Sequence, residues 1–191
     1  MAKYKIHMVK LGRARVGDES ATGTALKGYF DRVITSSTTL RRSYAEGAEV
    51  TWTTTCPTVP NHELLIYVVV SALDSIVVSL PGLTNTQARV NSDGLTVWTG
   101  TLTAAEVYTT RFGTNSSMLA KLAFHEAMHN KTHRGNSLHG GGGLAASPIT
   151  SSSALTTANI RLMRGVLGTS RPQWTGGCAA YSDPLRGTGI I

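Results

Sequence analysis

The segment His125-Glu126-Ala127-Met128-His129 reads HExxH and combines two metal-ligating imidazoles with one carboxylate. Residues four apart on a helix lie on one face, with Cβ atoms roughly 5–6 Å apart, so both imidazoles can share one metal ion. A glutamate beside the first histidine can accept a proton from water that the ion activates. The segment therefore predicts a zinc (Zn2+) site formed by His125 and His129, with Glu126 as the general base.

The surrounding sequence predicts the helix that this motif requires. Apolar residues recur at helical spacing before and within the motif, and Asn115, Ser116 and Ser117 offer N-cap oxygens. The pattern predicts a helix from Ser116 to about Arg134, ended by Gly135. Buried imidazoles need partners, and these are either a metal ion or ordinary hydrogen-bonding groups.

A catalytic zinc usually has three protein ligands, and His133 and His139 are the candidates for the third. In an unbroken helix His133 would stand about 12 Å along the axis from His125, at 1.5 Å per residue, so it could bind the same ion only if the helix broke or bent after His129. His139 follows Gly135, and a glycine can end a helix and turn the chain back. We therefore favour His139, and interpret His133 as a solvated histidine near the negative end of the helix dipole.

The order HExxH, Gly135, His139 resembles the metzincins, zinc peptidases with the signature HExxHxxGxxH followed by a turn and a C-terminal helix. The segment between the second and third histidines is about one helical turn longer here. Metzincins place a methionine in the turn beneath the zinc, whereas residues 140–153 contain none, so Leu144 or an alanine would form its hydrophobic floor.

Residues 154–163 resemble the helix that follows the site in matrixin-like members, with Thr156 or Thr157 as its N-cap. The resemblance implies a zinc metalloendopeptidase that cleaves a protein or peptide substrate. Tyrosines swing toward the site in some metzincins, and Tyr181 would be the equivalent here, although a packing tyrosine is the alternative.

The remaining pattern predicts an α+β fold with an early helical stretch at Thr24–Tyr44, the HExxH helix and a C-terminal helix. The resemblance implies a metzincin-like catalytic domain with a twisted, mixed sheet of about five strands. An edge strand, either Leu95–Leu102 or Ser75–Leu80, would align an extended substrate by strand addition. The predicted strands are Lys5–Lys10, Val50–Thr54, Leu64–Ser71, Ser75–Leu80 and Leu95–Leu102.

The length of 191 residues predicts a single domain over 1–191 with a core large enough to need no metal or disulfide. No apolar run is long enough to span a membrane, and the residues after Met1 lack the apolar core of a secretory signal. These features leave the compartment open, including export by a route that uses no such signal. They do not predict an oligomeric state.

Cys56 and Cys178 are the only cysteines, and either a long-range disulfide or two buried thiols fits their positions. The formal charge of +7 suits acidic partners, but the basic residues are scattered, so no specific nucleic-acid binding is predicted. Two alternative functions remain: a non-catalytic binding module that contains a metal, and a zinc amidase acting on cell-wall peptides.

Overall fold

A five-stranded mixed sheet organises the protein, and the computed structural model describes residues 2–83 and 92–182. The strand order is β2-β1-β3-β5-β4, in which β4 is antiparallel to β5 and the other pairs are parallel. The predicted α+β class with a five-stranded mixed sheet is thus confirmed. The strands are β1 (Tyr4–Lys10), β2 (Ala48–Thr53), β3 (Leu64–Val69), β4 (Gly94–Trp98) and β5 (Thr103–Tyr108).

The helices largely follow the capping signals in the sequence. The first begins five residues before the predicted Thr24, because the side chain of Asp18 accepts a hydrogen bond from the backbone N–H of Ala21. Ser37 caps a second, short helix, which divides the predicted helical stretch. The α-helices are α1 (Glu19–Thr35), α2 (Thr38–Ser43), α3 (Thr109–Phe112), α4 (Ser116–Thr132), α5 (Thr157–Arg164) and α6 (Gly177–Ser182).

One face of the sheet is covered by α1, α4 and α5, and this layer contains the HExxH helix. The ring of Phe124 on α4 packs against Tyr29 and Phe30 of α1, with centroid distances of 5.5 and 5.1 Å. Such aromatic pairs add about 0.5–1.5 kcal/mol each beyond the burial of apolar area. These contacts join α4 to α1 without the help of a metal ion.

The opposite face carries a second hydrophobic core and the disulfide Cys56–Cys178, which spans 122 residues of sequence. The bond joins the segment before β3 to α6, so the alternative of two free thiols is wrong. The hydroxyl of Tyr67 donates to the backbone carbonyl of Trp174 at 2.7 Å, which further attaches the C-terminal segment to this face.

The predicted strand Ser75–Leu80 is wrong, since this region forms 3₁₀ helices at Ala72–Asp74 and Val77–Ser79. The buried carboxylate of Glu106 accepts hydrogen bonds from the backbone N–H groups of Ile76 and Val77 at 3.0 and 3.4 Å. Those donors are therefore directed at a side chain rather than at a neighbouring strand.

The predicted strand Leu95–Leu102 consists of most of strand β4 followed by a turn. Strand β4 ends at Trp98, and residues 99–102 form a turn in which the N–H of Thr99 donates to the carbonyl of Leu102. Strand β5, which follows the turn, was not predicted.

Residues 1, 84–91 and 183–191 of the predicted domain lie outside the described residues. Within the described ranges, no helix has both the length and the apolar character needed to cross a bilayer.

Candidate metal centre

Helix α4 places the three residues of the HExxH motif on one buried side. Asn115 caps the helix by accepting a hydrogen bond from the N–H of Met118 at 3.1 Å, as its side-chain type predicted. The side chains of His125, Glu126 and His129 are all buried and all line one cleft. The motif therefore points into the fold rather than into bulk solvent.

The helix ends at Thr132, two residues before the predicted Arg134, and His133 rather than Gly135 reverses the chain. His133 adopts a left-handed conformation, with φ at 51°, and its N–H donates to the carbonyl of His129. Its ring stacks on Trp98 at 5.2 Å, and its Nε2 lies 2.8 Å from the hydroxyl of Thr103. The ring of His133 therefore contacts Trp98 and Thr103 rather than lying free in solvent, so the expectation that it is solvated is wrong.

His139 returns to α4 on the 3₁₀ segment Asn136–Gly141, which follows the turn at His133. The Nε2 atom of His129 lies 3.0 Å from Nε2 of His125 and 3.2 Å from Nε2 of His139. Two nitrogens bound tetrahedrally to zinc at about 2.0–2.1 Å would be separated by roughly 3.3–3.4 Å. The three histidines therefore lie close enough to hold one metal ion.

The hydrogen bonds of the imidazoles favour a cation at this point. Nδ1 of His125 donates to the carbonyl of Leu144 at 2.8 Å, and Nδ1 of His129 donates to the carbonyl of Arg134. In these neutral tautomers the Nε2 atoms carry lone pairs that face each other. A proton on Nε2 of His139 would remove the repulsion between lone pairs in only one of these contacts, whereas a metal ion accepts all three lone pairs.

Burial keeps the two helical imidazoles in the neutral form that binds metals. The pKa of His125 falls to about 4, first because burial disfavours its charged form and then because His129 lies beside it. Burial likewise lowers the pKa of His129. At neutral pH neither ring needs to lose a proton before it binds an ion.

The loop that supports His125 is held by the N-terminus of α5. Thr156, one of the two predicted candidates, is the N-cap, and it forms a capping box with Asn159. The side chain of Asn159 also accepts from the N–H of Leu144 at 3.0 Å and donates to the carbonyl of Gly142 at 3.1 Å. Leu144 is fully buried, and its carbonyl fixes the tautomer of His125.

Glu126 is oriented by strand β4. The hydroxyl of Thr96 donates to its Oε2 at 2.6 Å. Gly94 lies so close that a Cβ atom there would stand 2.7 Å from Oε1 of Glu126 and 2.9 Å from the carbonyl oxygen of Glu106. Burial raises the pKa of Glu126 to about 8, while the bond from Thr96 acts in the opposite direction. Sequence reasoning missed both β4 residues, because their contacts with α4 are separated by about thirty positions.

The cleft above these residues has a volume of about 550 Å³. One wall is β4, which pairs with β5 alone among the described strands and so forms an edge of the sheet. The other walls come from α4, the segment that carries His139, and residues 146–149.

Tyr181 does not line this cleft within the described part of the chain. It lies in a separate cavity, with its ring against Gly12. The structure therefore brings together His125, Glu126, His129 and His139, and it places both His133 and Tyr181 away from the point where the three Nε2 atoms converge.

In comparisons with protein-family models, curated proteins and solved structures, none matches this chain.

Proposed function

We propose that this chain is a zinc-dependent metallopeptidase with a metzincin-like catalytic domain, and that Glu126 is its general base. The observation that carries the proposal is the convergence of three histidine nitrogens beside a buried glutamate, in a cleft bounded by an edge strand. Three nitrogen ligands that leave a position for water are typical of catalytic zinc, whereas structural sites are usually closed by four protein ligands.

Zinc would lower the pKa of water to about 7 and polarise the scissile carbonyl. Glu126 would accept a proton from the attacking water and deliver it to the leaving amine. Without a cation, a pKa near 8 would keep much of Glu126 protonated at neutral pH. A neighbouring divalent cation favours the carboxylate, so the basic form is expected in the metal-loaded protein.

The chain's own residues supply orientation. Thr96 directs one oxygen of Glu126, and the carbonyls of Leu144 and Arg134 direct the rings of His125 and His129. In the metzincin-like interpretation, Leu144 takes the place of the methionine beneath the site. The longer spacing before His139 is accommodated by the left-handed turn after α4 and the following 3₁₀ segment.

The test is Glu126→Gln, with Glu46→Gln as a control at an exposed position. Loss of a general base is expected to lower the rate of casein cleavage by about 10²–10⁴-fold while about one zinc per chain is retained. The Glu46 variant should match the wild type in both measurements. Loss of zinc in Glu126→Gln would contradict the assignment of this residue as a base.

The choice of substrate separates the alternatives. Zinc binding without cleavage of casein or other proteins, but with cleavage of peptidoglycan, would indicate an amidase for cell-wall peptides. Retention of zinc without hydrolysis of either polymer would indicate a non-catalytic binding module.

A further inference from the structure

A second cavity of about 660 Å³ adjoins the cleft, and three arginines line it. Arg13 and Arg15 come from the loop between β1 and α1, and Arg111 comes from α3. Arg111 lines both the cavity and the cleft, and its guanidinium lies 3.5 Å from Asp93, which also lines the cleft. The two spaces therefore share a wall.

The segments that form this cavity are fixed by contacts of their own. The N–H of Gly17 donates to the carbonyl of Gly113 at 2.8 Å, which joins the β1–α1 loop to the end of α3. The hydroxyl of Thr110 donates to the carbonyl of Val70. On the remaining side is Tyr181 of α6, the helix that the disulfide attaches to the rest of the fold.

The lining of the cavity has an excess of positive charge. Within residues 2–83 and 92–182, neither Arg13 nor Arg15 forms an ion pair with a carboxylate. The acidic residue of the lining is Asp74, which accepts a hydrogen bond from the hydroxyl of Ser71 at 2.7 Å. A guanidinium presents donors in a planar fork that matches a carboxylate.

We propose that this cavity is a subsite for an acidic side chain of the peptide substrate, so that the preferred substrates carry Glu or Asp near the cleaved bond. The inference rests on the proposed peptidase function. Thr96 contacts Glu126, and Asp93 precedes Thr96 by three residues, or about 10 Å of extended chain. An extended peptide along β4 would therefore reach the cavity about three to five residues from the cleaved bond.

The experiment uses the full chain with zinc and a set of fluorescence-quenched peptides based on a casein sequence. All peptides end in an amide. The reference peptide carries Gln at every acidic position of the casein sequence. Each other peptide replaces one residue by Glu, at a different distance from the cleaved bond. The added side chain is then the single carboxylate in the peptide. Glu at one position, three to five residues from the cleaved bond, should give a kcat/KM about tenfold higher than that of the reference peptide at low salt.

The variant Arg13→Gln/Arg15→Gln should reduce this ratio of Glu to Gln peptides to about one. The matched control, Arg41→Gln/Arg42→Gln, removes the same charge from the exposed surface of α2 and should keep the wild-type ratio. Thermal unfolding of each variant establishes that it is folded. Equal cleavage of all peptides by the wild type, or full discrimination in the Arg13/Arg15 variant, would overturn the subsite.

Fluorescence anisotropy with the same peptides separates this inference from the peptidase proposal. Tighter binding of one Glu peptide, lost in the Arg13/Arg15 variant, would support the arginine subsite even if no peptide were cleaved. In that case the hydrolase proposal alone would fail.

Discussion

If the proposed zinc site is correct, replacement of His139 by alanine should remove most of the stabilisation that zinc would give to the fold. Nε2 of His139 lies 3.2 Å from Nε2 of His129, close to the separation expected for two ligands of one tetrahedral ion. Loss of a residue that only supports a ligand already weakens metal binding by about 10–100-fold. Loss of a ligand itself should therefore weaken the affinity of His139→Ala for zinc by at least about 100-fold.

This loss converts into a shift in melting temperature. At a zinc concentration of 100 times the wild-type Kd, binding adds about 2.7 kcal/mol to the free energy of unfolding. For a chain of this size, 1 kcal/mol corresponds to about 2–4 °C, so zinc should raise the Tm of the wild type by about 5–11 °C. At the same concentration a 100-fold weaker variant gains about 0.4 kcal/mol, or about 1–2 °C.

Calorimetry or thermal scanning with and without zinc measures both shifts under non-reducing conditions. The cysteines are then in the disulfide, so their thiolates do not bind zinc in the unfolded chain. The matched control is His133→Ala, which loses the contacts with Thr103 and Trp98. Its Tm without zinc should fall, whereas its increase with zinc should equal that of the wild type. An equal zinc shift in His139→Ala, or a lost shift in His133→Ala, would refute the assignment.

Three further perturbations test the surroundings of the site. Thr96→Val removes a bond that lowers the pKa of Glu126, so the acid limb of the kcat/KM profile should move to higher pH and kcat should fall about tenfold, with zinc content unchanged. Burial raises the folded-state pKa of Glu106, so its ionisation costs stability as pH rises above the unfolded value. Urea unfolding should therefore show the unfolding free energy of Glu106→Gln rising relative to that of the wild type as the pH increases above about 4.5, and a difference that does not change with pH would contradict this. Replacement of Cys56 and Cys178 by alanine should lower the unfolding free energy by about 4–5 kcal/mol, and loss of zinc binding would show that the two faces of the sheet are coupled.

The local parts of the site were predictable because their determinants are neighbours in the sequence. The HExxH spacing gave the buried face of α4, and the Asn115 and Thr156 caps gave the starts of two helices. The choice of His139 over His133 also followed from helix geometry. The residue that turns the chain was mispredicted, because it is His133 and not Gly135. A left-handed histidine is costly, and here its ring is held by Trp98 and Thr103, which lie far away in the sequence.

Strand β5 shows why other features were missed. Its sequence, Thr103-Ala104-Ala105-Glu106-Val107-Tyr108, contains alanine and glutamate, which are depleted in strands. Glu106 is nevertheless fully buried, because its carboxylate accepts bonds from two backbone N–H groups and from the hydroxyl of Tyr108. Those partners exist only in the folded chain, so the propensities of single residues gave the wrong answer.

In the proposed peptidase, strand β4 would link the orientation of Glu126 to the alignment of an extended substrate. Its residues alternate between the two faces of the sheet, so the register that turns Thr96 toward Glu126 also determines which backbone groups face the cleft. A shift of one residue would turn Thr96 away and bring a side chain to the place where Gly94 now leaves room for Glu126. The antiparallel pairing of β4 with β5 sets both properties at once. In the proposed peptidase, a change that slips this register should therefore impair substrate alignment and proton transfer together, even if the three histidines still bind zinc.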